Sequence, residues 1–429
     1  MSRSLAPALA GLVLALVMRL VLIALAPWNF SFDGYQRWAG REHLLIQDWL
    51  PATQSVLWVV AGLGGGILAA RIALSVVAAL ACAAGVLLVR AMGGQSAAWC
   101  FVPFAVFAPF LAWSTVPYQE GTFLLLLLGG LAAALHERLR LADLLVGALA
   151  LVRYEGWPFV LVYVLWRRDP RALRALWGIG LWLLLKQTLE LTGHASSPTD
   201  FADWEGITER FSTADLSTSL VKLGGQAWLT GAWAVVLLGL AGAAVAVRDR
   251  LRGAWLLVVL IGGQAAAVAG WLVGLETAIV RMQVVLCMLC ALFVATLAGR
   301  LWDSGRLRPL LVVLALAATI GWSVTGIWLA QRSIRSVRWE VELAEEWAAH
   351  PERQWVVHPR SGLGTRSRHD GCEILQGLTE RIHGRDYWCA PWLEDEPIPA
   401  GLWQARWRKK KGYRTDAPQA LPASDTVSP

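Results

Sequence analysis

Charge is scarce in this chain of 429 residues: only 16% are Asp, Glu, Lys or Arg. An average soluble domain carries roughly 25%, so the shortage argues against an ordinary cytosolic enzyme. Cysteine is scarce as well, at six residues, which excludes a disulfide-dense mini-domain. Lysine is almost absent outside Lys409, Lys410 and Lys411 while arginine is common, a bias of the kind GC-rich bacterial genomes impose. Several catalytic signatures are missing too. There is no phosphate-binding glycine loop, no His-Glu-x-x-His, no paired CxxC and no convincing Ser-His-Asp set. Nucleotide-driven chemistry at a cytoplasmic face is therefore disfavoured.

Apolar residues are abundant instead, at 56% with 25 tryptophans, which excludes disorder. They come in blocks of roughly 16–24 separated by short arginine-rich breaks, the pattern of a polytopic helical membrane protein. About eleven spans are expected on that pattern: Leu5–Ala26, Arg71–Val89, Ala97–Trp113, Gly121–Leu135, Leu141–Val152, Trp157–Trp166, Ala172–Leu191, Leu223–Val247, Ala254–Leu275, Val280–Ala298 and Leu310–Ala330. The first block has no cleavage site after it and reads as a retained helix. The stretch Pro27–Ala70 holds two half-length apolar pieces. Its part Asp33–Asp48 alternates charge with Trp38, Leu44, Leu45, Ile46 and Trp49, which fits interfacial helices.

Arginine position decides between topologies. If Pro27–Ala70 does not cross and the N-terminus is cytoplasmic, Arg90, Arg138, Arg140, Arg167, Arg168, Arg171, Arg174, Arg248, Arg250, Arg252, Arg300, Arg306 and Arg308 all face the cytoplasm. The opposite loops, around Pro117, Arg153, Pro198 and Glu276, are much poorer in arginine. Counting Val56–Ala70 as a span would reverse this. The net charge of +7 thus reports topology, and nucleic-acid binding is a poor reading of it. The expected location is a bacterial inner membrane, with the arginine-poor loops and the C-terminal part outside.

The candidate chemistry lies in those outer loops. Asp33 follows the first span by about seven residues, at the height where a carboxylate can meet a membrane-borne donor and a water-borne acceptor. The second loop reads Ser114-Thr115-Val116-Pro117-Tyr118-Gln119-Glu120-Gly121, and Glu120 opens a helix whose N-terminus favours a carboxylate. Leu141–Val152 and Trp157–Trp166 are each about half a bilayer long. Between them sits Arg153-Tyr154-Glu155-Gly156-Trp157, and charges between paired half-helices often mark a binding site. Read blandly, Asp33 is a solvated loop residue, Glu120 a helix-end carboxylate, and Arg153–Glu155 an ion pair stitching helices together. Arg281 opens the tenth span, where its planar fork suits a phosphate, and Lys186 near the outer end of the seventh is a second phosphate partner. Arg19, mid-way along the first span, should face the bundle interior.

The order of these motifs resembles a known family. Asp33 is followed by Gln47-Asp48-Trp49-Leu50-Pro51, then Arg71-Ile72-Ala73-Leu74-Ser75, Val116-Pro117-Tyr118-Gln119-Glu120, Leu151-Val152-Arg153-Tyr154-Glu155-Gly156-Trp157 and Ile279-Val280-Arg281. Over roughly residues 1–330 this resembles the GT-C superfamily of integral-membrane glycosyltransferases, its mannosyltransferase-like branch in particular. The resemblance implies an inverting transfer of a sugar, mannose among the candidates, from a polyprenyl- or dolichyl-phosphate at the outer face. By position Asp33 matches the catalytic base, although this chain has Asp33-Gly34 where many members have two adjacent acidic residues. Arg281 and Arg153, with Lys186, would hold the donor phosphate. Glu120, Tyr118, Tyr154, Glu155 and Trp157 would contact or orient the substrate. The implied partners are the lipid-linked donor, the bilayer, and a glycan, lipid or protein acceptor. The resemblance fixes no cofactor, and a divalent metal stays open.

Residues 331–429 change in composition. An amphipathic pattern from Arg332 to Ala349 and the strand-like run Gln354–His358 predict a small mixed α/β outer-face domain over 331–414, followed by a disordered tail from Thr415. Cys372 and Cys389 could pair there if that side is oxidising. Two other classes compete with the enzyme: a flippase or transporter of lipid-linked sugars, and a structural membrane-assembly protein. The first predicts midplane charges on both halves; the second predicts that the loop carboxylates and Arg153 do not meet. Within the enzymes, a ligase-like transferase using a diphosphate-linked donor is also open.

Overall fold

The computed structural model describes residues 5–27, 37–38, 50–191, 221, 224–225, 227, 231–274, 279–305, 355–358, 388–389, 403–408 and 412–416. The chain divides into two compact units. One comprises Met1–Pro27 and His43–Ser333, the other Trp28–Glu42 and Ile334–Pro429. The larger unit is helical among its described residues: α1 (Ala6–Leu25), α2 (Pro51–Gly62), α3 (Ile67–Phe101), α4 (Ala108–Trp113), α5 (Glu120–Leu135), α6 (Leu139–Leu149), α7 (Gly156–Arg167), α8 (Trp177–Leu191), α9 (Ala232–Arg248), α10 (Ala254–Gly274) and α11 (Ile279–Asp303). Among the described residues, three runs are long and apolar enough to cross a membrane: Ala6–Leu25, Ile67–Val106 and Gln283–Asp303. The expected span Leu310–Ala330 lies outside the described residues.

Several boundaries differ from those read off hydropathy. Pro51 starts α2 where its missing N–H costs nothing, and twelve residues of helix span only about 18 Å. The helix α3 begins at Ile67, four residues before the expected span. It runs past Arg90 to Gly94, whose φ of 83° breaks it. The following limb then folds back on the first, so that the Phe101 ring lies against Gly85. A 3-10 turn (Val102–Val106) and α4 replace the expected straight crossing 97–113. Pro103 and Pro109 sit in the first turn of each, where they start a helix but cannot continue a preceding one.

Side-chain contacts set the directions. Gly11 of α1 packs on Val86 of α3, while Arg71 near the start of α3 reaches the carbonyls at the end of α1. The two helices are therefore antiparallel. Gly121 at the start of α5 packs on Ala78, where an added Cβ would lie 3.3 Å from the Ala78 methyl. Ala78 is one-third of the way down α3, about 10 Å below Arg71. So α5 starts well inside the bundle.

The paired half-helices form a hairpin that returns the way it came. Trp157 Nε1 donates to the Ala150 carbonyl at 3.0 Å, and Tyr163 Oη donates to Asp143 at 2.8 Å. Arg167 bridges Asp143 at 3.2 Å, so α6 and α7 are antiparallel and their open ends lie together. A 3-10 helix (Pro170–Leu176) then turns the chain, and α8 climbs beside α6. There Gly178 sits directly on the Gly147 carbonyl. An alanine at 178 would place its Cβ on that oxygen, where neither backbone can yield. Gly178→Ala should therefore destabilise the protein by about 1–3 kcal/mol or more. Gly180→Ala, which meets nothing within 4 Å, should leave the melting temperature in detergent unchanged.

Arginine-rich turns gather at one end of this unit. Arg252 pairs with Glu137 at 3.0 Å, Arg248 with Asp249 at 2.9 Å, and Arg300 also binds Asp249. The end of α11 meets the α3 break, with Ser96 donating to Asp303. The opposite end carries the close of α1, the 114–120 loop and the tip of the α6–α7 hairpin.

In the smaller unit the described backbone contains a four-stranded sheet in the order β2-β1-β3-β4, with β1 (Trp355–His358), β2 (Trp388–Cys389), β3 (Trp403–Arg408) and β4 (Gly412–Asp416). β1 is parallel to both β2 and β3, and β3 is antiparallel to β4. The strand expected at 354–358 is present. β4 runs to Asp416, just past the point where a disordered tail was expected. Cys372 and the expected helix 332–349 lie outside the described residues.

Candidate functional site

The 114–120 loop and the hairpin tip meet through one buried guanidinium. Arg153 NH1 lies 2.9 Å from Glu120 Oε1, and its NH2 lies 2.7 Å from Glu155 Oε1. Its Nε donates to Glu155 Oε2 at 3.2 Å, so the Glu155 contact is a two-point fork. Exposure is 6% for Arg153, 0% for Glu120 and 19% for Glu155. Glu120, Arg153 and Glu155 are thus brought together, although they come from segments more than thirty positions apart.

Local sequence explains the geometry. After α6 the backbone makes consecutive tight turns, Val152 N–H to Leu149, Gly156 N–H to Arg153 and Trp157 N–H to Tyr154. A Cβ at Gly156 would lie 2.6 Å from the Leu149 carbonyl, so only glycine closes the hairpin this tightly. The side chains of Tyr154 and Trp157 pack edge to face, with ring centroids 5.7 Å apart. They rest on a small core of Leu50, Leu151 and Trp182. The Ala52 N–H donates to the Leu151 carbonyl at 2.9 Å, tying α2 to the tip. Lys186 is half-buried one turn beyond Trp182 on α8. In the facing loop Tyr118 packs edge to face on Trp113, with 5.3 Å between centroids.

Two further arginines hold the same loop, and sequence reading gave them less weight. Arg19 is fully buried in α1, as expected for a mid-span cation. Its Nε donates to Ser114 Oγ at 2.8 Å and its NH1 to the Ala15 and Ala105 carbonyls, while the guanidinium lies 4.6 Å from the Phe110 ring centre. Arg71, also fully buried, donates to the Thr115 carbonyl at 2.8 Å and to the Ala26 and Pro27 carbonyls. Each of the segments 105–115 and 26–27 is thus fastened by a guanidinium acting on backbone oxygens. The signal for Arg71 was its place at the head of an apolar helix, where a lone charge needs a partner.

The remaining expected site residues stand differently. Asp33 lies outside the described residues. Arg281 falls on α11, but its side chain is outside the described set. Among the described residues no group of three His, Cys, Asp or Glu side chains is placed to hold a metal ion. At the arginine-rich end, Asp169 accepts from the Arg171 N–H at 2.9 Å, and Arg167 lies beside it. That hydrogen bond, with the neighbouring cations, holds the Asp169 carboxyl below the usual carboxylate range. No family model matches this chain, and no curated protein matches it.

Proposed function

We propose that this protein is an inverting glycosyltransferase that takes a sugar from a polyprenyl phosphate at the extracytoplasmic face. The observation that carries this reading is the segregation of polar groups. Glu120, Arg153, Glu155 and Arg71 lie on the side of the helical unit away from the arginine-rich turns, with Glu120 set inward at the start of α5. A transporter would be expected to carry such groups about the midplane on both halves, and the mid-span Arg19 is instead spent on Ser114 and two backbone carbonyls. By the positive-inside rule the arginine-rich end is cytoplasmic, which puts the Glu120–Arg153–Glu155 cluster toward the outside.

A lipid phosphate is already a competent leaving group, so the protein must position, deprotonate and neutralise. In this proposal Asp33 takes the proton of the acceptor hydroxyl, by the family resemblance of its position. Arg153 already faces two carboxylates, and a phosphate there would compete with both. The proposal therefore gives the departing phosphate chiefly to Arg281 and Lys186, with Arg153 aligning Glu120 and Glu155 toward the sugar. Tyr118, Tyr154 and Trp157 supply the flat apolar surfaces that sugars stack on.

The competing structural reading draws on the same cluster: a doubly paired arginine is what an internal stitch between helices looks like. The two are separated by incubating purified protein with radiolabelled polyprenyl-phosphate sugars, a mannosyl donor among them, and following release of the lipid phosphate. Donor-dependent turnover is expected. Absence of turnover across the donor panel, from protein that remains folded, would favour the structural reading.

A further inference from the structure

Among the described residues, three side-chain-bearing positions have left-handed backbone: Glu137 at φ 63°, Arg168 at φ 50° and Arg250 at φ 54°. All three follow helix C-termini at the arginine-rich end, where glycine is the usual occupant. Glu137 is accounted for by its ion pair with Arg252. Arg168 is exposed and makes no ion pair among the described residues, so its charge, held at a strained backbone position, calls for another explanation.

The sequence that follows supplies one. The segment Pro170–Leu176 is a 3-10 helix. At three residues per turn, Arg171 and Arg174 stand on one edge about 6 Å apart. Both are exposed. The nearest acid, Asp169, is occupied by Arg167 and by the Arg171 N–H, and Asp143 is taken by Arg167 and Tyr163. Arg138 and Arg140, exposed at the start of α6, add to the same field. Interleaved with these cations are the exposed apolar side chains of Leu165, Leu173 and Trp177. Cationic and apolar side chains alternating at the end of an apolar hairpin have the composition of an interfacial segment.

We propose that Arg168, Arg171 and Arg174 form a binding site for the phosphate of an anionic phospholipid, with Leu165 and Leu173 against its acyl chains. Guanidinium forks match phosphate oxygens in pairs. The apolar neighbours favour a lipid over a dissolved anion, and with Asp143 engaged by Arg167 and Tyr163, Asp169 by itself does not balance the three guanidinium groups. This site is at the opposite end from the Glu120–Arg153–Glu155 cluster, and the proposal does not depend on the catalytic reading.

The test uses the full-length protein exchanged with equal amounts of phosphatidylglycerol and phosphatidylcholine and read by native mass spectrometry. The wild type is expected to retain phosphatidylglycerol preferentially. The double variant Arg171→Gln/Arg174→Gln, which changes only exposed side chains, should lose about thirtyfold of that preference. Arg168→Gly, compatible with left-handed backbone, should weaken it as well, whereas Arg250→Gly, away from the 3-10 helix, should leave it unchanged. Equal retention of the two lipids by the wild type would overturn the proposal, as would an undiminished preference in the double variant. Displacement of phosphatidylglycerol by inorganic phosphate would also overturn it, assigning the arginines to a soluble anion.

Discussion

Arg153→Ala should unfold the protein far more readily than its single position suggests, by about 3–5 kcal/mol. The reason is what the arginine leaves behind. Glu120 is fully buried and Glu155 mostly so, and without the guanidinium both carboxylates lose the ion pair that Arg153 gives them. Arg153 also ties the α6–α7 hairpin to the start of α5, beside the Phe123–Phe159 ring contact, so its loss would loosen that junction. Thermal unfolding in detergent measures the loss. A second variant separates charge from shape: Glu120→Gln with Arg153→Met and Glu155→Gln removes all three charges at similar volume and should recover much of the stability. Wild-type melting of Arg153→Ala would mean that the Glu120–Arg153–Glu155 cluster is solvated and contributes little to folding.

The triple variant also bears on catalysis. If the cluster only joins helices, restoring stability restores whatever the protein does. If Glu120 and Arg153 orient a sugar, turnover stays low in a folded protein.

Asp33→Asn is expected to lower transfer by about 10²–10⁴-fold, the usual contribution of a general base. Asparagine keeps the shape and the hydrogen-bonding reach but cannot accept the acceptor's proton at neutral pH. Donor binding and melting temperature should be close to wild type, since one carboxylate is exchanged for an amide of equal size. The measurement is single-turnover release of labelled lipid phosphate, with donor binding followed separately. Turnover of the Asp33→Asn variant at the wild-type rate would remove Asp33 from the mechanism and leave Glu120 or Glu155 as the base to test next.

How much was legible in the sequence depended on the kind of signal. Half-length helices on either side of Arg153 showed directly, because an apolar run of ten or twelve residues is too short for a bilayer. The convergence of Glu120 with Arg153 could be argued only from loop topology, which places both segments on one face. Hydropathy misplaced the fold-back after α3, since the turn depends on a single glycine, Gly94, and two prolines inside an otherwise unbroken apolar stretch. Arg19 and Arg71 were visible as charges, but not their partners. Those partners are mostly main-chain oxygens, which every sequence has and none advertises. Arg168 gave no signal at all as a strained residue, because backbone handedness is not written in residue type except through glycine.

The α6–α7 hairpin has a consequence for how the chain is threaded during synthesis. Because its two limbs leave and rejoin the same end of the helical unit, the pair contributes an even step to the count of reversals. Excising it whole leaves the chain at the arginine-rich end, where α5 closes and α8 sets out, so the direction of the helices that follow would be unchanged.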